Sequence, residues 1–64
     1  MYRHIRELRE DRDLTQAELA NLLDVSQTTY SRYETGKLDI PSLVLRKLAA
    51  FYGVSVDYLL DMVE

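Results

Sequence analysis

The residues of this sequence best equipped for chemistry lie close together: Gln27, Thr28, Thr29, Ser31, Arg32 and Thr35. They offer an amide, hydroxyls and a guanidinium, groups that donate and accept hydrogen bonds. The solvated face of a helix is usually filled with Lys and Glu, which are good helix formers. Two threonines and a serine are poor choices for helix stability, so this face is kept for another purpose. Reaction chemistry has much less to work with. No nucleophile–base pair, phosphate-cradling glycine loop or metal-ligand spacing is present, so no enzyme is expected. His4 is the only histidine and reads as a solvated residue on a first helical turn. Asp11 and Asp13, at a helix end, also read as solvated. There is no cysteine, hence no disulfide and no thiolate metal site. No metal, cofactor or small-molecule ligand is expected.

Two short helical patterns position the polar strip. The first spans Gln16 to Leu23 and opens behind Thr15, with Glu18 three residues on, forming a capping box. The second spans Gln27 to Thr35, opens behind Ser26 and stops at Gly36, a residue suited to the left-handed conformation that ends helices. Only Asp24, Val25 and Ser26 separate them. So short a link favours a steep crossing, the geometry of a helix-turn-helix. Leu19, Ala20, Leu23, Val25, Tyr30 and Tyr33 supply the apolar side of that crossing.

The rest of the chain supports this pair. A helix over Tyr2 to Arg12 carries a narrow apolar stripe, Ile5 and Leu8 with Arg12, and is expected to brace the core without forming its centre. Asp13-Leu14-Thr15 forms the first connection, with Leu14 inward. After a loop at residues 37–40, Pro41 suits the first turn of a helix running to Tyr52, whose core positions are Leu45, Leu48, Ala49 and Tyr52. Gly53 ends it. Ser55 then caps a short last helix from Val56 to Met62, with Asp57 in its first turn and Leu59 and Leu60 inward. Five short helices around one core, all-α, is the expected fold. Leu43, Phe51, Val56, Tyr58 and Met62 exceed what a small core needs, and they divide between core edge and an exposed partner surface.

With 64 residues and 47% hydrophobic content the chain is expected to form a single domain over 1–64, stable by only a few kcal/mol. No apolar run is long enough to cross a bilayer, since Arg46 and Lys47 interrupt the best one, and no signal-peptide pattern opens the chain. A soluble cytoplasmic protein is expected. Eight basic residues stand against eleven acidic ones, net −3. Through Lys37 there are six basic and seven acidic residues, and beyond it two and four. Neither part is basic, which argues against tight non-specific binding to nucleic acid while leaving local pairing with phosphates open.

Gln16, Leu19, Ala20, Leu23, Val25, Ser26, Tyr30, Tyr33, Glu34 and Gly36, together with Gly53 to Leu60 (GVSVDYLL), resemble the phage-repressor/Cro type of helix-turn-helix, the Xre family. The resemblance covers nearly the whole chain. It departs at Asp13 and Asp24, where the family favours glycine, and at Tyr30, where a branched aliphatic is commoner. Asp tolerates the left-handed region better than most residues, so the turn at Asp24 should survive.

The resemblance implies a lambda-repressor-like DNA-binding domain, a transcriptional regulator and more readily a repressor than an activator. Gln27 and Thr28 would stand at the base-reading positions in the major groove of double-stranded DNA, with Thr29, Ser31 and Arg32 secondary. Gln16 would correspond to the phosphate clamp, and Thr35 and Lys37 would add backbone contacts. Arg9 would pair with Glu34 and tie the first helix to the end of the third. The family commonly forms homodimers through its C-terminal part, which makes Phe51, Val56, Tyr58 and Met62 a candidate dimer surface and a palindromic operator the expected target. A protein-interaction module of the same fold, antitoxin-like or regulator-binding, is the alternative, and it would explain the negative charge. Such regulators often carry an added effector domain; none is visible here, so any inducer would act elsewhere.

Overall fold

In a computed structural model, which describes residues 3–60 and the side chains of 4–60, five helices follow one another: α1 (Arg3–Asp11), α2 (Gln16–Leu23), α3 (Gln27–Thr35), α4 (Ser42–Tyr52) and α5 (Val56–Leu60). The expected starting residue Tyr2 and the expected helix end and surface residue Met62 lie outside the described residues. Both helices of the central pair have the boundaries their caps dictate. Thr15 Oγ1 accepts the Glu18 N–H at 3.1 Å, and Glu18 Oε1 accepts the Thr15 N–H at 2.8 Å. At α3, Ser26 Oγ accepts the Thr29 N–H at 3.1 Å. Pro41 flanks α4 instead of opening it. Its ψ of 150° is extended, and its carbonyl accepts the first helical bond from Leu45 N–H at 3.0 Å.

Four consecutive junctions use the left-handed region. Gly36 and Gly53 take it without steric cost at φ 79° and 71°. Asp13 and Asp24 adopt it at φ 55° and 60°. Asp24 ends α2 with ψ 44°, and its N–H reaches back to the Ala20 and Asn21 carbonyls while Val25 N–H bonds Ala20 O at 3.0 Å. This double return closes the last turn of α2 and aims the chain into α3. The aspartates accept a conformation that costs an L-residue about 1–2 kcal/mol.

The core is assembled from every helix. Ile5, Leu19, Tyr30, Leu48 and Leu59 are its most deeply buried side chains. Ile5 corrects the expectation that α1 only braces the core. Helix α1 packs on both α3 and α5, so its narrow stripe is enclosed from two sides. Arg12, the polar end of that stripe, extends outward to the end of α4. Its Nη2 donates to Tyr52 O at 3.2 Å and its Nη1 to Phe51 O at 3.4 Å, with the guanidinium 5.0 Å from the centre of the Tyr52 ring. A cation there suits the partial negative charge of a helix C-terminus.

One ion pair crosses the interior. Arg9 Nε donates to Glu34 Oε2 at 2.7 Å and Nη2 donates to Glu34 Oε1 at 3.2 Å, two parallel bonds between planar groups. Arg9 Nη1 also donates to the Leu14 carbonyl at 2.9 Å, so one guanidinium joins α1, the α1–α2 connection and α3. The Glu34 side chain is only 3% exposed. Burial pushes its carboxyl pKa up, but hydrogen bonds led by that from Arg9 outweigh burial and hold it below the ordinary 4.5. The same contact raises the Arg9 pKa.

Two predictions follow from these contacts. Because the folded carboxyl titrates lower than the unfolded one, the stabilisation is complete above pH 4.5 and is lost as pH falls through the lowered value. Arg9→Met strands the carboxylate and should cost about 3–5 kcal/mol at neutral pH. Thermal melts across the acid range should show the gap between the two proteins narrowing below pH 4.5; a constant gap would contradict the assignment. At Asp24 the positive φ predicts opposite signs for two substitutions. Asp24→Gly should raise urea-unfolding stability by up to about 1 kcal/mol, and Asp24→Val should lower it by about 1 kcal/mol or more.

Candidate nucleic-acid interface

The capping box at the start of α2 satisfies the Thr15 and Glu18 N–H groups, and leaves those of Gln16 and Ala17 turned outward past the helix end. Helix α3 lies against α2 and buries Tyr30, Tyr33 and Glu34 on one face. Its other face therefore points away from the core, and Gln27, Thr28, Arg32 and Thr35 are exposed there, with Ser31 half-buried between them.

Together the two helices frame an open concavity of about 460 Å³. Gln16 stands on its α2 side, and Gln27, Thr28, Ser31, Arg32 and Thr35 line its α3 side. Lys37, just past the helix end, completes it. The lining is amide, hydroxyl and cation, without a carboxylate. The Thr35 hydroxyl also donates to Arg32 O at 3.3 Å. Arg32 makes no ion pair with Asp39 and turns into the concavity.

Thr29 is the exception within the polar strip. It is half-buried and does not line the concavity. Its hydroxyl accepts a hydrogen bond from Ser26 Oγ at 2.9 Å, on the flank where the helix is capped. A residue two positions past Gln27 is rotated by more than half a turn from it, so the cap takes its hydroxyl and the open face does not.

Beneath the site lies a buried polar group of side chains. Gln16 Nε2 donates to Glu34 Oε1 at 3.1 Å, a contact that sequence spacing did not signal. The hydroxyls of Tyr30 and Tyr52 are buried without a hydrogen bond of standard geometry, although the Tyr30 hydroxyl is close enough to Glu34 to feel its charge. Burial, reinforced by Glu34, pushes the Tyr52 pKa up to about 12 and that of Tyr30 higher still. Both phenols stay neutral across the physiological range.

The candidate dimer surface divides. Phe51 and Tyr58 are each 42% exposed, whereas Val56 is half-buried and packs against the core. His4 is not the solvated residue expected. It is half-buried, stacks on Tyr58 with ring centres 4.1 Å apart, and places Nδ1 2.6 Å from the Tyr58 carbonyl, a contact that requires a proton on Nδ1. The packing of α1 on α5 brings these residues together across most of the chain. Leu22, Leu38 and Leu43 are also exposed, and the first two carried no sequence signal beyond their apolar type.

The site can present hydrogen-bond donors and acceptors to a ligand edge, and two cations to an anionic backbone. Among the described residues no helix is long and apolar enough to cross a membrane. Comparison with known proteins bears on what such a surface belongs to. The helix-turn-helix family model HTH_3 matches residues 5–59. A cryptic phage CTXphi transcriptional repressor, RstR, from Vibrio cholerae is 46% identical over 52 residues, covering 81% of this chain and 47% of that protein. The uncharacterized HTH-type transcriptional regulator YobD from Bacillus subtilis (strain 168) is 35% identical over 60 residues, covering 94% of this chain and 54% of that protein. The chain thus spans about half the length of these curated relatives. The match runs from the fully buried Ile5 of α1 to the fully buried Leu59 of α5, and so takes in the crossed helices and the core that holds them: the chain belongs to the Cro/C1-type helix-turn-helix family.

Proposed function

We propose that this domain binds double-stranded DNA sequence-selectively as a transcriptional regulator, a repressor before an activator, with α3 in the major groove. The observation that carries the reading is the shared concavity, where the start of α2 and the outward face of α3 present amides, hydroxyls and two cations on one side. Gln27, in the first turn of α3, would bond adenine N6 and N7 together, and the methyl and hydroxyl of Thr28 would meet a thymine methyl and a neighbouring edge. Ser31 and Arg32 would extend the contact along the helix. Gln16, Thr35 and Lys37 would hold phosphates and so set the register. The repressor among the relatives supports the direction of regulation. A homodimer through a surface that includes Phe51 and Tyr58, read on a palindromic operator in the cytoplasm, is the arrangement we favour, supported by the exposure of both rings.

A second reading has one observation in its favour. The net charge of −3 suits a protein-interaction module better than a binder of polyanions. Site selection from a random DNA pool separates the two, since a protein-interaction module enriches no sequence.

Base and phosphate contacts fail differently on mutation. With a selected site in hand, Gln27→Ala should lower affinity for that site by about tenfold or more, with a smaller loss on random duplex. Gln16→Ala should weaken both to a similar extent. Lys37→Ala should reduce the slope of log affinity against log salt by about one. Titrations in which Gln16→Ala is the sequence-selective defect and Gln27→Ala the general one would overturn the assignment.

A further inference from the structure

Glu34 does more than receive Arg9. Its Oε1 accepts both Arg9 Nη2 at 3.2 Å and Gln16 Nε2 at 3.1 Å, and its side chain is almost wholly enclosed. An ionised carboxylate only accepts hydrogen bonds. It therefore admits the Gln16 carboxamide in one flip, nitrogen inward, a choice that geometry alone leaves open for an amide. One N–H is committed to Glu34, and the other N–H and Oε1 remain for the concavity.

We propose that Glu34 is a positioning residue for DNA binding: it locks the Gln16 carboxamide so that a phosphate arriving at the start of α2 meets an oriented N–H beside the backbone N–H groups of Gln16 and Ala17. The proposal rests on the duplex-binding reading above. A phosphate is also an acceptor, and an unrestrained glutamine would spend part of its time presenting oxygen to it. Fixing the flip in the free protein holds the second Gln16 N–H in one place and removes the entropy cost of ordering the side chain on contact. Anchoring α1 to α3 requires only the Arg9 contact, so the bond to Gln16 links the ion pair to the recognition surface. Arg9 acts at one further remove, by holding the carboxylate ionised and in place.

The test is a double-mutant cycle on binding. Glu34→Gln, Gln16→Ala and the double variant are titrated by fluorescence anisotropy against a labelled random-sequence duplex at low salt. Glu34→Gln should weaken binding by roughly tenfold in the native background, the weight of one hydrogen bond to a charged group. In the Gln16→Ala background it should have little further effect. Equal losses in both backgrounds would mean that Glu34 acts by placing α3, and would overturn the proposal; so would no loss in the native background. Should Glu34→Gln fail to fold, NMR relaxation of the side-chain amides in the unaltered protein decides the matter. The Gln16 amide should be as ordered as the backbone and the exposed Gln27 amide mobile, and equal mobility of the two overturns the proposal. A native protein that binds no duplex defeats the functional reading and this proposal with it, whereas the other adverse results defeat the proposal alone.

Discussion

A single buried carboxylate organises the domain. Glu34 receives two bonds from Arg9 on α1 and one from Gln16 at the start of α2, while belonging itself to α3. Through Arg9 the same cluster reaches the Leu14 carbonyl in the α1–α2 connection. Such a pair adds little net stability over an apolar replacement of the same shape, because two charges have been taken out of water. Its value lies in geometry: a bidentate contact tolerates few relative placements of its two helices. The concavity is formed by α2 and α3, and the bond from Gln16 to Glu34 is the contact of this cluster that spans those two helices.

The distribution of charge explains how an acidic domain retains a cationic site. Arg6 is bonded to Glu10 within α1, Arg9 to Glu34, and Arg12 to the carbonyls ending α4. Arg32 and Lys37 line the concavity instead. Arg9 and Arg12 are thus engaged in joining helices, while Arg32 and Lys37 at the end of α3 face the open side. Net charge is a sum over the whole chain, but a phosphate within a Debye length of the site responds mainly to what lies there. The acidic total acts at longer range, disfavouring loose attachment to any nucleic acid and so favouring contacts that depend on fit.

Local chemistry made much of the architecture legible. The capping residues Thr15, Ser26 and Ser55, the terminators Gly36 and Gly53, and the spacing of Leu45, Leu48, Ala49 and Tyr52 each act within a turn or two of the chain. Their consequences are visible wherever the sequence is read. The aspartates at 13 and 24 were harder, since their left-handed conformation is imposed by the elements they join. The outward strip on α3 was legible for a related reason: Tyr30 and Tyr33 had to face the core, which left Gln27, Thr28, Ser31, Arg32 and Thr35 on the other side.

What the sequence could not decide required two distant segments to meet. Helical phase alone did not show that Arg12 would reach the carbonyls of Phe51 and Tyr52. Nor did it show that Ile5 would be fully enclosed, that His4 would stack on Tyr58, or that Val56 would pack inward while Phe51 stayed exposed. The Gln16–Glu34 bond is the clearest case, because it depends on the distance at which α2 passes α3. By itself the sequence determined where the two crossed helices begin and end and which face of each is apolar, since capping, propensity and periodicity are local. Only the tertiary structure decided which polar groups share a partner, because a hydrogen bond requires two atoms within about 3 Å and no local rule places residues that are far apart in the chain at that distance.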